Sequence, residues 1–492
     1  MGASHSLSKL LPLALFGGLF FTTGCSLTLD LDQCSDASEC GANQICTSEG
    51  LCADPGTAPN NQLTGGPCQR LEGDTDSENA FVMGVVLELS GSGAGFGTPM
   101  LESILLATDN INGFGGIAGR RLGLVVCDTQ GNNATARQAA EHLVNNVGVS
   151  TIIGFNSSQT ISISQDITVP NDVLLMSPSA TAQTISGLAD NDLVFRTAPS
   201  DEIQAEAFAR LLSHTLETTL PEAEITAPKL AIMTRRNDSY ANGLSETIIP
   251  LLPTEITSGG EDRFTVNNYT NSGVGEPVDY TGDVAVVASQ SSPPDVIAIL
   301  GSAEAWELID YFELALTNQP LYVGVDAMKN AQLAGQADPE LEGRIWGTGP
   351  RNIGDAGYLP YLTFRTQFQS KIEDDPDKYQ FVANAFDAVY ALAFAAAAEG
   401  FTGPELARGL RRLNQGPEIT PRAVEAQQAI NSLLAGDTIT YLGASGPLNF
   451  DENGDPQPTP ISLWCFQDAS VPEEGEILSE SREFTPLTCS DS

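Results

Sequence analysis

The chain has 492 residues, with 22 basic and 63 acidic side chains and a formal net charge of −41. This length allows two or three domains with substantial cores. The negative charge argues against nucleic acid and anionic lipid as partners, because like charges repel. With three histidines in the chain, a histidine metal site or a histidine-based catalytic triad has almost no support.

The first 24 residues have the pattern of a signal peptide. Lys9 supplies the positive charge, and the apolar segment from Leu10 to Phe21 is too short to span a bilayer comfortably. The segment Thr22-Thr23-Gly24-Cys25 that follows resembles the bacterial lipobox, whose cysteine receives a diacylglycerol before cleavage. Thr22 stands where leucine is usual, which leaves ordinary signal cleavage open. The resemblance predicts lipidation of Cys25, and Ser26 resembles the signal for sorting to the outer membrane.

Four cysteines follow with five residues between neighbours: Cys34, Cys40, Cys46 and Cys52. This regular spacing, in a secreted stretch too short for a hydrophobic core, favours a disulfide-rich module over residues 34–52. A thiolate metal site is the alternative, although zinc sites favour cysteines separated by two residues. The segment from Ala53 to Pro67 is rich in proline, glycine and asparagine and has nothing to bury, so we predict a linker.

The cysteine count agrees with both the lipid anchor and the module. Removing Cys25 from nine cysteines leaves an even number. For the cysteines outside the module, positions in the chain and expected strand neighbours favour bonds Cys68–Cys127 and Cys465–Cys489, although sequence alone does not determine connectivity.

The chain after the linker alternates strands and helices. Phe81 to Leu89 is a continuous apolar run, as a strand buried on both faces requires. A glycine-rich turn from Ser90 to Gly97 leads to a helix whose apolar face begins at Leu101 and which ends at Gly115-Gly116. Further strands are predicted at Leu122–Cys127, Thr151–Ile153 and Val173–Met176.

The ends of these strands predict a binding site. In an open α/β sheet, ligands bind beyond the carboxyl ends of the strands. Strand ends rich in glycine, serine and threonine predict a small polar ligand there. The turn has the spacing GxGxGxG, whereas dinucleotide sites have GxGxxG, and no acidic ribose partner is evident where the second strand ends. We therefore expect the turn to bring backbone close to a small ligand and not to hold a nucleotide.

Seven sequence segments, the first of which includes the glycine-rich turn, follow one another in a fixed order along the chain. They are VVLELSGSGAGFGTPMLESILLATDNINGFGGIAGRRLGLVVCDTQGN, IIGFNSSQT, LLMSPSATAQT, VFRTAPSD, GVDAMKN, NAFDAVYALAFAAAA and GPLNFDENGD. Their order and spacing resemble the type I periplasmic solute-binding proteins of the branched-chain amino acid (leucine/isoleucine/valine) family, over about residues 80 to 465. The resemblance implies an α/β fold of two lobes, each a parallel sheet flanked by helices, joined by a hinge of three strands.

The second half also alternates strands and helices. It has a predicted helix from Ile203 to Leu212, a polar and loop-rich stretch from Asn267 to Pro294, and a long helix from Asn384 to Glu399. Strands are predicted at Leu230–Met233, Val296–Leu300, Leu321–Val323 and Arg344–Gly347.

The resemblance implies three crossings between the lobes, near Thr197, Thr348 and Gly446. Lobe 1 would then contain residues 68–197 and 349–446, and lobe 2, with the C-terminal tail, residues 198–348 and 447–492. Three parallel connections can bend together while each lobe stays rigid.

In lobe 1, the resemblance assigns ligand contacts to residues at the strand ends. Phe96 corresponds to an aromatic residue that covers the ligand side chain. The hydroxyl of Ser158 is implied to bind a ligand carboxylate, whereas Ser157 could bind it or cap a helix. In the segment Ser179-Ala180-Thr181, backbone N–H groups and the threonine hydroxyl would bind the carboxylate, and a carbonyl the ammonium.

In lobe 2, three residues have implied roles. Tyr240 corresponds to a tyrosine that covers the ligand; the alternative is a tyrosine packed on the lobe surface. Asp326 stands where the family has an acid that pairs with the α-ammonium, although an aspartate after a strand can also cap a helix. Ser302 replaces a position that is often aromatic, which predicts a larger or more polar ligand than leucine.

The function implied by the resemblance is binding without chemistry, and the sequence contains no convincing nucleophile–base pair, metal cluster or phosphate loop. We predict a monomeric, lipid-anchored protein without cofactor or metal, in the envelope of a Gram-negative-type bacterium, on the periplasmic side or the outer-membrane surface. It would deliver an amino acid or similar solute to an ABC permease. A ligand-sensing receptor domain and a surface lipoprotein without a transporter are the alternatives.

Overall fold

The computed structural model describes residues 45–46, 52–53, 63–91, 93–270, 278–330, 334–350, 357–467, 470 and 473–477. The predicted signal peptide, Cys25, Cys489 and most of the predicted cysteine module lie outside these ranges. Within the module, Ile45–Cys46 pairs antiparallel with Cys52–Ala53, and Cys46 lies opposite Cys52.

The first sheet forms the centre of lobe 1. Its strands are β1 (Cys68–Gly73), β2 (Phe81–Leu87), β3 (Leu122–Asp128), β4 (Thr151–Gly154), β5 (Leu174–Ser177) and β6 (Val194–Arg196). Their order in space is β1-β3-β2-β4-β5-β6. The edge strand β1 pairs antiparallel with β3, and the other neighbours are parallel. All seven residues of β2 are buried, as its apolar sequence predicts.

The second sheet forms the centre of lobe 2. Its strands are β7 (Leu230–Arg235), β8 (Phe264–Tyr269), β9 (Val296–Leu300), β10 (Leu321–Gly324), β11 (Ile345–Pro350), β12 (Ile461–Cys465) and β13 (Glu473–Ile477). Their order is β8-β7-β9-β10-β11-β12-β13, and the strands from β7 to β11 pair in parallel. The last two strands add antiparallel pairs at one edge. These parallel-rich sheets confirm the predicted α/β fold class.

Helices cover the faces of both sheets. They are α1 (Ala94–Gly113), α2 (Asn133–His142), α3 (Ser157–Ile163), α4 (Asp201–His214), α5 (Ser239–Ile248), α6 (Thr281–Ala288), α7 (Ala305–Ala315), α8 (Leu359–Ile372), α9 (Val382–Glu399), α10 (Gly403–Leu410) and α11 (Ala423–Leu434). Shorter helical segments lie at Leu220–Glu222 and Thr254–Thr257. In the part of the chain that the structure describes, α9 alone is long and apolar enough to cross a membrane, and 89% of it is buried. It packs against α1 in the core of lobe 1.

The third crossing between lobes differs from the predicted position. Gly446–Pro447 pairs with Thr440–Gly443 in a small sheet that also contains Glu418–Ile419. Phe450 still belongs to the core of lobe 1, where its ring lies 5.4 Å from that of Phe195. Ile461 belongs to the core of lobe 2. The crossing therefore lies between Phe450 and Ile461 and not at Gly446.

The predicted linker is part of the fold at its C-terminal end. Leu63 is 1% exposed and packs in a hydrophobic cluster on one face of the first sheet. His142 Nε2 lies 3.1 Å from the carbonyl oxygen of Leu63, and Pro67 accepts a hydrogen bond from the N–H of Asp128. The prediction that this stretch has nothing to bury was wrong for residues 63–67, because Leu63 packs in the cluster.

The predicted loop from Asn267 to Pro294 contains regular structure. It includes the end of β8 and the whole of α6. Strand β8 lies at a sheet edge and alternates partly buried and exposed residues, so it has no continuous apolar run to identify it. The loop prediction was wrong for these two elements.

The cysteines outside the module agree with the predicted bonds where they are described. Cys68 on β1 and Cys127 on β3 are opposite each other and form a disulfide, which confirms this prediction. Cys465 is also disulfide-bonded. Its predicted partner, Cys489, lies outside the described residues.

Candidate functional site

A cavity of about 440 Å³ lies between the two lobes, at the carboxyl ends of their parallel strands. Small-molecule sites in proteins have volumes of about 300–1,000 Å³. Lobe 1 contributes residues that follow β2, β4 and β5, and lobe 2 contributes residues that end or follow β7, β9 and β10. Eight predicted ligand-binding residues line it: Phe96, Ser157, Ser158, Ser179, Thr181, Tyr240, Ser302 and Asp326.

Ala180 does not line the cavity, and both of its backbone groups have partners inside lobe 1. Its N–H donates to Ser177 Oγ at 3.0 Å, and its carbonyl accepts from Arg196 Nη1 at 3.2 Å. Ala180 is therefore the one predicted ligand-binding residue that the structure does not bring to the cavity. Arg196, which donates to the Ala180 carbonyl, is itself fixed by a buried ion pair with Asp455, whose Oδ1 lies 2.6 Å from Arg196 Nε.

Ser157 acts as an internal acceptor. Its Oγ receives hydrogen bonds from the N–H groups of Thr181 and Ala182, both at 3.1 Å. The N–H of Thr181 is one of the backbone donors that the resemblance assigned to a ligand carboxylate. The side chain of Ser157 thus connects α3 to the segment after β5, which fixes the floor of the cavity.

Ser158 connects the two lobes directly. Its hydroxyl donates to Asp238 Oδ2 at 3.2 Å and accepts from the N–H of Ser239 at 3.0 Å. Both partners belong to lobe 2, at the start of α5. In this arrangement the hydroxyl that was predicted to bind a carboxylate stabilises the contact between lobes.

Asp326 and Tyr240 form a buried pair in lobe 2. Their exposed fractions are 1% and 6%, and the Tyr240 hydroxyl donates to Asp326 Oδ1. Gln204 Nε2 donates to the same oxygen at 2.9 Å. Burial raises the pKa of Asp326, and the hydrogen bonds from Tyr240 and Gln204 partly oppose this increase. The pKa of Asp201 is also raised, mainly by burial and to a smaller extent by the negative charge of the neighbouring Asp326.

An aromatic wall closes one side of the cavity. Phe96, at the start of α1, makes an edge-to-face contact with Phe381, with ring centroids 5.8 Å apart. Both side chains line the cavity. This position for Phe96 suits the predicted cover over an apolar part of a ligand.

The sequence interpretation missed most of the charged residues in the cavity. Arg235 Nη2 lies 2.8 Å from Asp238 Oδ2, and Arg235 Nη1 lies 3.3 Å from Glu304 Oε2. Glu304 Oε1 also accepts from the Tyr269 hydroxyl at 2.7 Å. Arg235 is the last residue of β7, and Glu304 follows β9. The available signal was a charged residue at the carboxyl end of an apolar strand, as Arg235 is.

Glu88 was also missed, and the glycine-rich turn is built around it. The N–H of Gly93 donates to Glu88 Oε1 at 2.8 Å. A Cβ atom on Gly93 would lie 2.3 Å from Glu88 Cδ, and one on Gly131 would lie 2.8 Å from Glu88 Oε1. Burial raises the pKa of Glu88; the Gly93 hydrogen bond opposes the increase, and Glu304 adds to it. The predicted turn therefore surrounds a carboxylate as well as lining the cavity.

Metal ligation has no support in the described ranges, where no three histidine, cysteine, aspartate or glutamate residues are arranged to hold an ion. The polar groups of the cavity are instead suited to hydrogen bonding and to pairing with a charged organic solute.

Comparison with known proteins identifies related sequences. The family profile described as periplasmic binding protein matches residues 81–424, more than half of the chain. The chain is 31% identical over 132 residues to the Leu/Ile/Val-binding protein BraC3 of Rhizobium johnstonii, which is 26% of this chain and 35% of that protein. It is 32% identical over 131 residues to the Leu/Ile/Val-binding protein homolog 3 of Brucella melitensis, covering 26% and 34%. The matches span about a third of the length of these curated relatives.

Solved structures share the fold over a longer range. The leucine-binding protein LivK of Thermotoga maritima has a TM-score of 0.63 at 21% identity, with 82% of this chain and 99% of that chain covered. The substrate-binding protein LivJ of Streptococcus pneumoniae, in complex with isoleucine, has a TM-score of 0.61 at 20% identity, covering 80% and 97%. A solute-binding protein of R. palustris, in complex with benzoate, has a TM-score of 0.59 at 17% identity, covering 81% and 96%.

Proposed function

The chain belongs to the periplasmic binding protein family, and from this premise we propose that it captures an amino acid or a similar small polar solute between its two lobes. The observation that carries the proposal is the cavity, which both lobes line with carboxylates, hydroxyls and an aromatic side chain. The curated relatives named as Leu/Ile/Val-binding proteins support an amino acid as the solute.

The proposed mechanism is closure of the lobes around the solute. A solute held by lobe 1 gains further contacts from Tyr240 and Asp326 when lobe 2 closes, so binding favours the closed form. Asp326 is the proposed partner of an ammonium group, and Phe96 covers the apolar part of the solute. Thr181 and Ser179 also line the cavity wall.

The proposed cellular role is uptake through an ABC permease from a lipid anchor at Cys25. The family supports an extracytoplasmic location, and its named relatives are solute-binding proteins. A sensing role for the same cleft is the second candidate, because the predicted cysteine module before the main domain would add a segment that uptake does not require. Uptake of labelled solute by cells with and without the gene separates the two: uptake falls on deletion for a transport protein and is unchanged for a sensor.

A thermal-shift screen of the purified protein tests solute binding. The panel contains leucine, isoleucine, valine, basic amino acids, diamines and benzoate. A solute that binds only the folded state adds about 2.7 kcal/mol of stability at a hundredfold its Kd. We expect at least one amino acid or amine to raise the melting temperature, and Asp326→Ala to abolish the shift. If no solute in the panel changes the melting temperature, the proposed function is contradicted.

A further inference from the structure

We propose that the solute carries two cationic nitrogen groups, one bound by Asp326 in lobe 2 and the other by Glu88 in lobe 1. This inference rests on the proposed function, because it specifies the chemistry of a solute for the same cleft. It follows from the charges that line the cavity and from the contacts that these charges already make.

The charges in the cavity are unbalanced. Its lining contains four acidic side chains and one basic side chain: Glu88, Asp238, Glu304, Asp326 and Arg235. Arg235 makes ion pairs with Asp238 and Glu304. Within the described part of the chain, Glu88 and Asp326 make no ion pair with a basic residue. Two carboxylates, one on each lobe, are therefore left without an ion-pair partner, and Arg235 acts on Glu88 only at longer range.

Neither carboxylate is explained by the acidic surface of the protein. A surface carboxylate contributes to solubility because it is hydrated, whereas Asp326 is 1% exposed and Glu88 is half-buried under the glycine turn. Removing a carboxylate from water is costly unless it is paired. Burial accordingly raises the pKa of both groups. A cation in the cavity would offset this cost at each position.

The surroundings of Glu88 favour a ligand over a protein partner. The residues that surround its carboxylate include Gly93 and Gly131. Because glycine has no Cβ, both positions leave space for the carboxylate that any other residue would fill. The hydrogen bond from the Gly93 N–H engages Glu88 Oε1. The described residues thus position Glu88 at the cavity wall without giving it an ion-pair partner.

Some of the donors that the resemblance implied for an anion already have partners within lobe 1. The N–H groups of Ala180, Thr181 and Ala182 already donate to serine side chains. The remaining charged donor is Arg235, whose buried Nε has no hydrogen-bond partner among the described residues. The N–H of this nitrogen can donate to one ligand carboxylate, which makes a basic amino acid compatible with the cavity as well as a diamine. Both kinds of solute carry the proposed pair of cationic groups. The test separates these two sources.

Calorimetric titration with three matched solutes tests the proposal. L-Lysine has two ammonium groups and a carboxylate, L-norleucine lacks the terminal ammonium, and 1,5-diaminopentane lacks the carboxylate. We expect lysine or diaminopentane to bind at least about tenfold more tightly than norleucine, the scale of one charge-assisted hydrogen bond. Tighter binding of lysine identifies a basic amino acid, and tighter binding of diaminopentane identifies a diamine.

Two results overturn the inference and remain distinguishable from failure of the proposed function. If norleucine or leucine binds as tightly as lysine and diaminopentane, the second cationic group is not recognised, although solute binding stands. If neither these solutes nor the wider thermal-shift panel bind, both the inference and the proposed function fail.

A matched pair of variants tests the role of Glu88. Glu88→Gln keeps an oxygen for the Gly93 N–H and removes the charge, so we expect the affinity for the tighter dication to fall about tenfold. The affinity for norleucine and the melting temperature should change little, which a purely structural role would not produce. Glu141→Gln, at a half-exposed site on α2, is the control and should bind like the wild type. Unchanged affinity of Glu88→Gln for the dication would contradict the assignment.

Discussion

Individual charged side chains in the cleft are held by backbone groups and small residues near them in the sequence. Glu88 shows this most clearly, because Gly93, five residues later, both donates a hydrogen bond and leaves the space for its carboxylate. Asp238 similarly caps α5 by accepting from the N–H of Ala241 at 2.8 Å, while its other oxygen binds Arg235. Local structure therefore fixes where each charge points.

Gly93→Ala tests this dependence of Glu88 on its turn. The added Cβ would lie 2.3 Å from Glu88 Cδ, so the carboxylate must move. Since Glu88 is the flexible partner, we expect stability to change little and solute affinity to fall about tenfold, as for loss of one charge-assisted contact. Calorimetry and thermal melting measure the two effects. Gly113→Ala is the control, because nothing lies within 4 Å of its added Cβ; equal affinity in the two variants would refute the argument.

At the scale of elements, α9 and the small sheet of lobe 1 are joined by a buried carboxylate. Asp387 on α9 accepts from the Tyr441 hydroxyl at 2.8 Å, the N–H of Ala444 at 2.9 Å and the N–H of Ser445 at 2.7 Å. The Ser445 hydroxyl donates as well, at 2.6 Å. Burial raises the pKa of Asp387 to about 6, even though these hydrogen bonds lower it. The element junction is therefore sensitive to pH.

We predict that Asp387 makes lobe 1 less stable as the pH rises from about 4.5 to 7. An aspartate in the unfolded chain has a pKa near 3.9, so the folded state binds the extra proton between that value and about 6. Its contribution to the free energy of unfolding is greatest below the unfolded pKa and decreases as the pH passes through the folded pKa. The expected decrease across this range is on the order of 2 kcal/mol.

Urea unfolding of wild type and Asp387→Asn at pH 4.5 and pH 7 measures this contribution. The asparagine does not titrate, so the stability lost by the substitution should be larger at pH 4.5 than at pH 7. Other buried acids, including Asp326 and Asp201, titrate in both proteins and cancel in the comparison. A substitution that costs the same at both pH values would exclude Asp387 as the source.

The elements that sequence could predict are those with a uniform environment. The strand at Val296–Leu300 was predicted with the bounds that the structure has, because all its residues are buried. The edge strands β1 and β8 were missed, since each has exposed residues and no continuous apolar run. The helix α1 begins at Ala94, inside the predicted turn, so the second half of the glycine-rich segment is helical.

At the scale of the whole molecule, contacts between lobes stabilise the arrangement around the cavity. Ser158 bonds Asp238 and Ser239, and Thr247 Oγ1 donates to Gln183 Oε1 at 3.3 Å. Most of the site residues that the resemblance predicted line one cavity, because the carboxyl ends of parallel strands share an edge of the sheet. It could not identify Ser158 as a contact between lobes, since its partners lie about 80 residues away in the other lobe. Such pairing depends on how far the lobes close.

We predict that Ser158→Ala weakens solute binding by favouring the open form. The substitution removes hydrogen bonds that depend on contact between the lobes, and a net loss of about 0.5–1.5 kcal/mol lowers affinity by roughly two- to tenfold. The faster dissociation expected from easier opening can be followed by stopped-flow displacement. Ser162→Ala is the control on the same helix, because its hydroxyl bonds carbonyls within α3. Equal loss in both variants would point to damage to α3 and not to closure.

Hydrogen–deuterium exchange of the protein, with and without the solute that gives the largest thermal shift, tests binding between the lobes most directly. We expect the solute to slow exchange in segments of both lobes, and to do so over the same range of solute concentrations. Those of lobe 1 are residues 88–97 and 155–160, and those of lobe 2 are residues 235–241 and 324–328. Slower exchange confined to one lobe, or located away from these segments, would contradict capture of the solute in the cleft.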